Sequence, residues 1–210
     1  MFTLALETST PRGSLAVLHQ GKVIFAEEFH AERGHSSLLF DLLERARAAV
    51  PVFHRVVIGL GPGSYAGIRI AIAAGVGLQL AMDAELLGIP SPAGLAVQVP
   101  EYVVVGDARR ETFYWCHVEQ GVCRQGPELI TQVELHLRLA DLRLPCYTSE
   151  PLPQAPGAGL AFPSALTLAR QAETGCGVTA HGTLEPLYLR EPHITHAKPV
   201  AGLGMPPATV

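Results

Sequence analysis

The sequence predicts an α/β fold made of two related halves. Three observations carry that prediction. The first thirty residues read as three consecutive strands, strand-like and helix-like apolar runs then alternate, and the same order returns when the chain is overlaid on itself with a shift of 100 residues. In that overlay Leu4-Ala5-Leu6-Glu7 falls on Val104-Val105-Gly106-Asp107, and Gln20-Gly21 falls on Gln120-Gly121. Each half therefore reads strand, acidic turn, strand, Gln-Gly turn, strand. Two related subdomains meeting at a cleft are the simplest account.

Thr3 to Glu7, Ser14 to His19 and Lys22 to Phe29 form the opening strands, and Gln20-Gly21 supplies the tight turn that makes the last two antiparallel. His35 to Val50 follows as a helix with Ser36 or Ser37 as its N-cap and an apolar stripe at Leu39, Leu42, Leu43, Ala46 and Val50. Leu38 and Phe40 fall outside that stripe, so more than one face seeks burial. His54 to Leu60, rich in β-branched residues, reads as a strand, Ala66 to Met82 as a long helix, Leu86 to Ile89 as a short strand, and Pro92 to Gln98 as a helical turn. The first half is thus βββαβαβ. In the second half Glu111 to Val118 and Val122 to Ile130 are strands, Gln132 to Leu139 a short helix, Leu144 to Thr148 a strand, and Leu160 to Thr174 a helix. That half stops short, because the stretch Pro151 to Gly157 resembles a linker and no second glycine loop appears. The expected units are 1–100, 101–188 and a proline-broken, mobile tail at 189–210.

At 210 residues the chain is long enough to bury about 70% of its unfolded surface without a metal or disulfide. Charged residues are 16% and the formal charge is -4, which argues against strong nucleic-acid binding by this chain alone. Cys116, Cys123, Cys146 and Cys176 lack C-x-x-C spacing, and with no secretory leader expected ahead of them they read as reduced thiols of a cytoplasmic protein. The most apolar stretch, Ile70 to Met82, is shorter than the about 20 residues a bilayer crossing needs. It reads as a helix buried in the domain, against a partner, or both.

Gly61-Pro62-Gly63-Ser64-Tyr65-Ala66-Gly67-Ile68-Arg69 stands between a strand and a helix start. Free amides at the positive end of a helix suit an anion; equally, glycines permit a tight turn and close helix packing. The Lys-Ser/Thr pair of a P-loop is missing. Gly61, Gly63 and Ala66 satisfy the loose dinucleotide pattern, but Glu85 precedes the next apolar run where an acid ending a strand is wanted. Glu7 and Asp107, in matching turns, could approach one cleft and hold magnesium or phosphates through it, with Thr8 and Ser9 adding hydroxyls. Acids and hydroxyls also serve turns by bonding their own backbone. The nine histidines are scattered without metal-ligand spacing, and Ser64 lacks the G-x-S-x-G elbow of a nucleophile.

With Leu6-Glu7-Thr8-Ser9-Thr10, the loop Gly61 to Arg69, Asp107-Ala108-Arg109-Arg110 and Pro186-Leu187-Tyr188-Leu189-Arg190 in order, residues 1 to about 190 resemble the TsaB family, also called YeaZ. The resemblance implies an actin-like ATPase (ASKHA, RNase H-like) fold of duplicated βββαβα subdomains with a truncated second half. It implies work in threonylcarbamoyladenosine synthesis on tRNA as a non-catalytic subunit that pairs with its paralogue TsaD (Gcp) and acts with TsaE. The expected partner surface is the helix pair 36–50 and 66–82, with Leu39, Leu42, Leu43, Ala46, Ile70, Ala74, Gly75 and Leu78. Self-association as a homodimer is expected when the chain is alone, contact with tRNA only through the complex, and no membrane. No cofactor is required by this chain, although ATP or ADP could lie at the interface with TsaD. Glu7, Thr8, Ser9, Gly61, Gly63, Ser64, Gly67, Arg69 and Asp107 would form a vestigial nucleotide or anion site, with no catalytic residue and no metal. Two departures support this. Glu7 stands where the family has aspartate, displacing a carboxylate by about 1 Å, and Tyr65-Ala66 replaces Phe-Thr. The alternative is an active nucleotide-dependent enzyme using Glu7, Asp107 and the loop Gly61 to Gly67.

Overall fold

Continuous apolar runs, buried on both faces, bring the first two opening strands together. β1 (Phe2–Glu7), β2 (Arg12–His19) and β3 (Lys22–His30) pair antiparallel in sequence order. The computed structural model in which they are seen describes residues 1–31 and 35–190; the Ser36 side chain and the tail from residue 191 onward lie outside the described residues, and because the helix that follows begins at His35, Ser36 and Ser37 fall inside it and do not precede it as the expected N-cap. The first half continues with α1 (His35–Ala49), β4 (Arg55–Gly59), α2 (Tyr65–Met82) and β5 (Glu85–Ile89), then a 3-10 turn at Ser91–Gly94. The second half repeats the plan with β6 (Glu101–Asp107), β7 (Thr112–Glu119), β8 (Val122–Thr131), α3 (Gln132–Asp141), β9 (Cys146–Thr148) and β10 (Gly159–Leu160). α4 (Ala165–Thr174) and β11 (Ala180–His181) complete the described chain.

The two sheets run β11-β5-β4-β1-β2-β3 and β10-β9-β6-β7-β8. In each, an antiparallel meander is extended by parallel strands beside its first member. The turns agree as well. Gln20 and Gly21 have φ of 51° and 77°, and Gln120 and Gly121 have 52° and 73°, the doubly left-handed geometry that matches the twist of a two-residue hairpin.

Alternation decides what each face of the first sheet buries. Leu4, Leu6, Leu15 and Val17 pack with Leu39, Phe53 and Ala71 beneath α1 and α2, whereas Ala5, Ala16, Leu18 and Val57 pack with Ala165, Leu168 and Ala172 of α4. The result is a helix-sheet-helix sandwich. Because α4 covers the first sheet and β11 pairs with β5, the chain from Ser164 to Arg190 belongs to the first subdomain. The expected division at 188 is corrected accordingly: the second subdomain is about Glu101 to Pro163. The helix read at Leu160 to Thr174 is also shortened, since Gly159 and Leu160 join β9 and Ser164 caps the helix by accepting from the Leu166 amide.

The second half has no counterpart of α2. Residues 149–158 connect β9 to β10 instead, and Pro151, Pro153 and Pro156 forbid a helix there. Leu152 and Ala155 reach into the second core in its place. In the first half α2 runs for 18 residues with a mean hydropathy of 1.4, long and apolar enough by length and composition to cross a membrane. It lies instead along the sheet, burying Gly67, Ile68, Ala71, Ala74 and Gly75.

The two mid-helix glycines of α2 differ in surroundings. A Cβ on Gly75 would meet Ile58 Cδ1 and Leu86 Cδ1 at 3.0 Å, and one on Gly77 would meet nothing within 4 Å. In the isolated chain Gly77→Ala is therefore expected to add about 0.5–1 kcal/mol of stability, and Gly75→Ala to gain less or lose because the core must shift. Urea denaturation checks this, and equal effects at the two positions would contradict the packing described.

Candidate functional site

The turns after β1 and after β6 face each other across a cleft of about 530 Å³, lined by Ser9, Ser64, Tyr65, Asp107, Arg109 and the stretch 186–190 among others. Duplication places them there, each turn being the end of its half's first hairpin. The glycine loop closes one wall.

Glu7 does not enter this cleft. It is fully buried, with Oε1 accepting from the Ser9 amide at 2.6 Å and Oε2 accepting from Ser91 Oγ at 2.8 Å. Ser91 Oγ in turn accepts from the Gly61 amide at 3.0 Å. A Cβ on Gly59 would overlap the Glu7 carboxylate, so the glycine in β4 makes the space that the side chain occupies. Burial raises the Glu7 pKa above its ordinary 4.5, against the hydrogen bonds from Ser9 and Ser91 that favour the charged form.

The glycines of the loop are accounted for in the same way. A Cβ on Gly63 would overlap the Ser9 carbonyl, and one on Gly67 would overlap the Thr8 carbonyl. Backbone meets backbone: the Ser64 amide donates to Ser9 O at 2.7 Å, and Thr8 Oγ1 donates to Gly67 O at 2.8 Å. Ser64 is the N-cap of α2, its hydroxyl accepting from the Gly67 amide at 3.2 Å. Amides of Gly61, Ser64 and Gly67 are thus engaged within the protein. Of the two readings of the loop, this packing favours the tight turn.

Asp107 lies at the cleft, apart from Glu7. Its Oδ1 accepts from the Arg109 amide at 2.7 Å and its Oδ2 pairs with Arg109 Nη1 at 2.9 Å. The expected approach of the two carboxylates from opposite sides is therefore corrected, because the extra reach of Glu7 is spent downward on Ser91. Arg109, Arg110 and Glu111 all have left-handed φ, at 64°, 54° and 59°. Among the described residues no group of three His, Cys, Asp or Glu side chains is placed to hold a metal. Ser9 Oγ is buried without a hydrogen-bond partner beside the cleft.

Arg69 projects outward, its guanidinium 5.2 Å from the Tyr65 ring centroid and donating to Tyr188 Oη at 3.3 Å. Tyr65 and Tyr188 stack at 5.5 Å. Ser91 and Gly59 escaped the sequence reading. An isolated glycine within a strand was the available signal for Gly59; Ser91 carries no local signal, since its partner lies 84 residues away.

The helix-pair surface is also redistributed. Leu39, Leu42, Ala46, Ala74 and Gly75, expected at a partner interface, are buried in the first core. Leu43, Ile70 and Leu78 are partly buried against that core. The outward apolar face is carried by other residues: Leu38 and Phe40 of α1, at 37% and 49% exposure, and Leu80 of α2 at 81%. Ala66, Ala73 and Gly77 are exposed on α2 as well.

The family model described as TsaD, tRNA N6-adenosine threonylcarbamoyltransferase, matches residues 25–142, more than half of the chain. The chain belongs to the TsaD-related TsaB (YeaZ) family. TsaB from Haemophilus influenzae is 31% identical over 127 residues, 55% of this chain and 52% of that protein. A protein of Mycobacterium tuberculosis called uncharacterised is 31% identical over 133 residues, 59% of this chain and 62% of its own. The chain thus spans about three fifths of the length of that relative and about half of the length of the Haemophilus influenzae protein. YeaZ from Pseudomonas aeruginosa superposes with a TM-score of 0.66 at 24% identity, covering 90% of this chain and 99% of that one. The fold of this TsaB-family chain is accordingly that of YeaZ, two sheets of one plan with the second half cut short.

A raised folded-state pKa means that the folded chain holds the Glu7 proton more tightly than the unfolded chain does. Its contribution to stability is full below 4.5 and is lost as pH rises from there through the raised value. Replacing Glu7 by Gln removes that dependence. Urea denaturation between pH 4.5 and 7.5 should show the stability of Glu7→Gln gaining on that of the parent as pH increases. A constant difference across this range would mean that the carboxyl is not held against ionisation.

Proposed function

We propose that this TsaB-family chain is a non-catalytic pairing subunit of the machinery that makes threonylcarbamoyladenosine on tRNA, and that it docks on TsaD through the outer face of α1 and α2. One observation carries the reading. α2 is 18 residues long with a mean hydropathy of 1.4, yet only five of its residues are buried; Leu80 stands 81% exposed near its end, and Leu38 and Phe40 are exposed on α1. Water is a poor environment for large apolar side chains left outward on two helices, and exposed apolar surface beyond the ordinary marks protein partners. Small side chains at Ala66, Ala73 and Gly77 let a second helix come close. A standard interface takes about 800 Å² from each partner, which two adjacent helices can supply.

The names of relatives support the pathway: those from Haemophilus influenzae and Escherichia coli are called tRNA threonylcarbamoyladenosine biosynthesis protein TsaB. Commitment of Glu7 to Ser9 and Ser91 supports the non-catalytic part, because a carboxylate engaged on both oxygens and sealed from solvent is unsuited to binding magnesium or phosphate. On this reading the chain self-associates through the same helices when its paralogue is absent, works with TsaE in the cytoplasm with its thiols reduced, meets tRNA only within the complex, and needs no cofactor of its own.

Leu80→Glu and Phe40→Glu charge the outer face without touching the core. Each should abolish copurification with TsaD while changing the stability of the isolated chain by no more than about 0.5 kcal/mol. Undiminished copurification of both variants would defeat the assignment of this face.

A further inference from the structure

We propose that residues 186–190 form a clasp that fixes the two subdomains across the cleft, doing with the chain's own side chains what a bound ligand would do in an open one. At the base of the cleft the two chain crossings lie side by side. Leu95 bridges Pro163, the Ala96 amide donates to Phe162 O at 3.1 Å, and the Ser164 amide donates to Gly94 O at 2.9 Å. Two adjacent crossings make a hinge; beside it the halves also touch where Tyr102 Oη donates to Pro92 O at 2.9 Å and Cys176 Sγ donates to Gln120 O at 3.0 Å.

Pro186 to Arg190 runs along the wall of the cleft. The Leu187 amide donates to Leu60 O at 2.8 Å, and the Tyr188 ring lies on Tyr65 at 5.5 Å with its hydroxyl accepting from Arg69 at 3.3 Å. Up to this point every partner is in the first subdomain. Arg190 then crosses, its Nη2 donating to Thr112 Oγ1 in the second.

The receiving residue is a keystone of its own turn. Thr112 Oγ1 donates to Arg109 O at 2.8 Å and the Thr112 amide donates to the same oxygen at 3.2 Å. These bonds close a turn in which Arg109, Arg110 and Glu111 are all left-handed, a backbone region sparsely populated by residues that carry side chains. A guanidinium bonded to the hydroxyl at the foot of such a turn holds it from outside. The clasp therefore links the anchored strap to the one part of the second subdomain whose shape is least favoured by its own residues.

The test is hydrogen exchange read by mass spectrometry on the full chain. Arg190→Ala should speed exchange in the turn 108–112 and at the crossings 95–99 and 162–164 by about tenfold, with β1, β4 and β5 unchanged. Thr112→Val, which removes the acceptor from the other side, should reproduce the pattern, and Arg190→Lys should restore part of the protection. Unchanged exchange at the turn in Arg190→Ala, acceleration spread evenly over the whole chain, or a Thr112→Val profile identical to that of the parent would each overturn the proposal.

Discussion

A single buried carboxylate organises the first subdomain. Glu7 sits at the end of β1, occupies the space left open by Gly59 in β4, and ties the turn after β1 to the 3-10 turn through Ser91 and to the glycine loop through Ser91 and Gly61. Three segments distant in sequence meet there, 7–9, 59–61 and the turn at Ser91. An ionisable group is expensive to bury, and its cost is offset only when its oxygens are met by donors. Here the donors are met, and the loop, the turn and the strand end cannot move independently of one another.

The same arrangement separates ancestry from present use. A cleft between duplicated subdomains, with hairpin turns facing each other and a glycine loop launching a helix, is a setting suited to phosphates. In this chain the loop rests on the backbone of Thr8 and Ser9, and the acid of the first turn is committed beneath it. Of the eighteen residues of α2 five are buried, and Leu80 is among those that stay outward.

Much of this was legible in the residues, and the reasons differ from place to place. The duplication shows because the Gln-Gly turns need left-handed backbone at both positions, so the dipeptide recurs at the matched place in each half. The opening strands show as short runs set off by the tight Gln20-Gly21 turn. The interface residues were partly misread because periodicity identifies a face that seeks burial without saying which neighbour provides it: Leu39, Leu42 and Ala46 lie on the sheet, and Leu38 and Phe40, off the stripe, carry the outward face. α4 returned to the first sheet against the expectation of a boundary at 188, since small residues at Ala165, Ala169 and Ala172 fit a sheet face lined by Ala5 and Ala16, and no local pattern records that match. The partner of Glu7 was hidden for a similar reason. A serine 84 positions away has no spacing by which to be recognised.

The missing helix of the second half has a consequence for valence. Had residues 149–158 formed a counterpart of α2, the duplicated chain would carry two helix-pair faces on opposite halves, and a molecule with two such faces joins neighbours at both ends without limit. Prolines in that short connection leave one face only. On the proposed docking, a chain built this way would take a single partner across that surface.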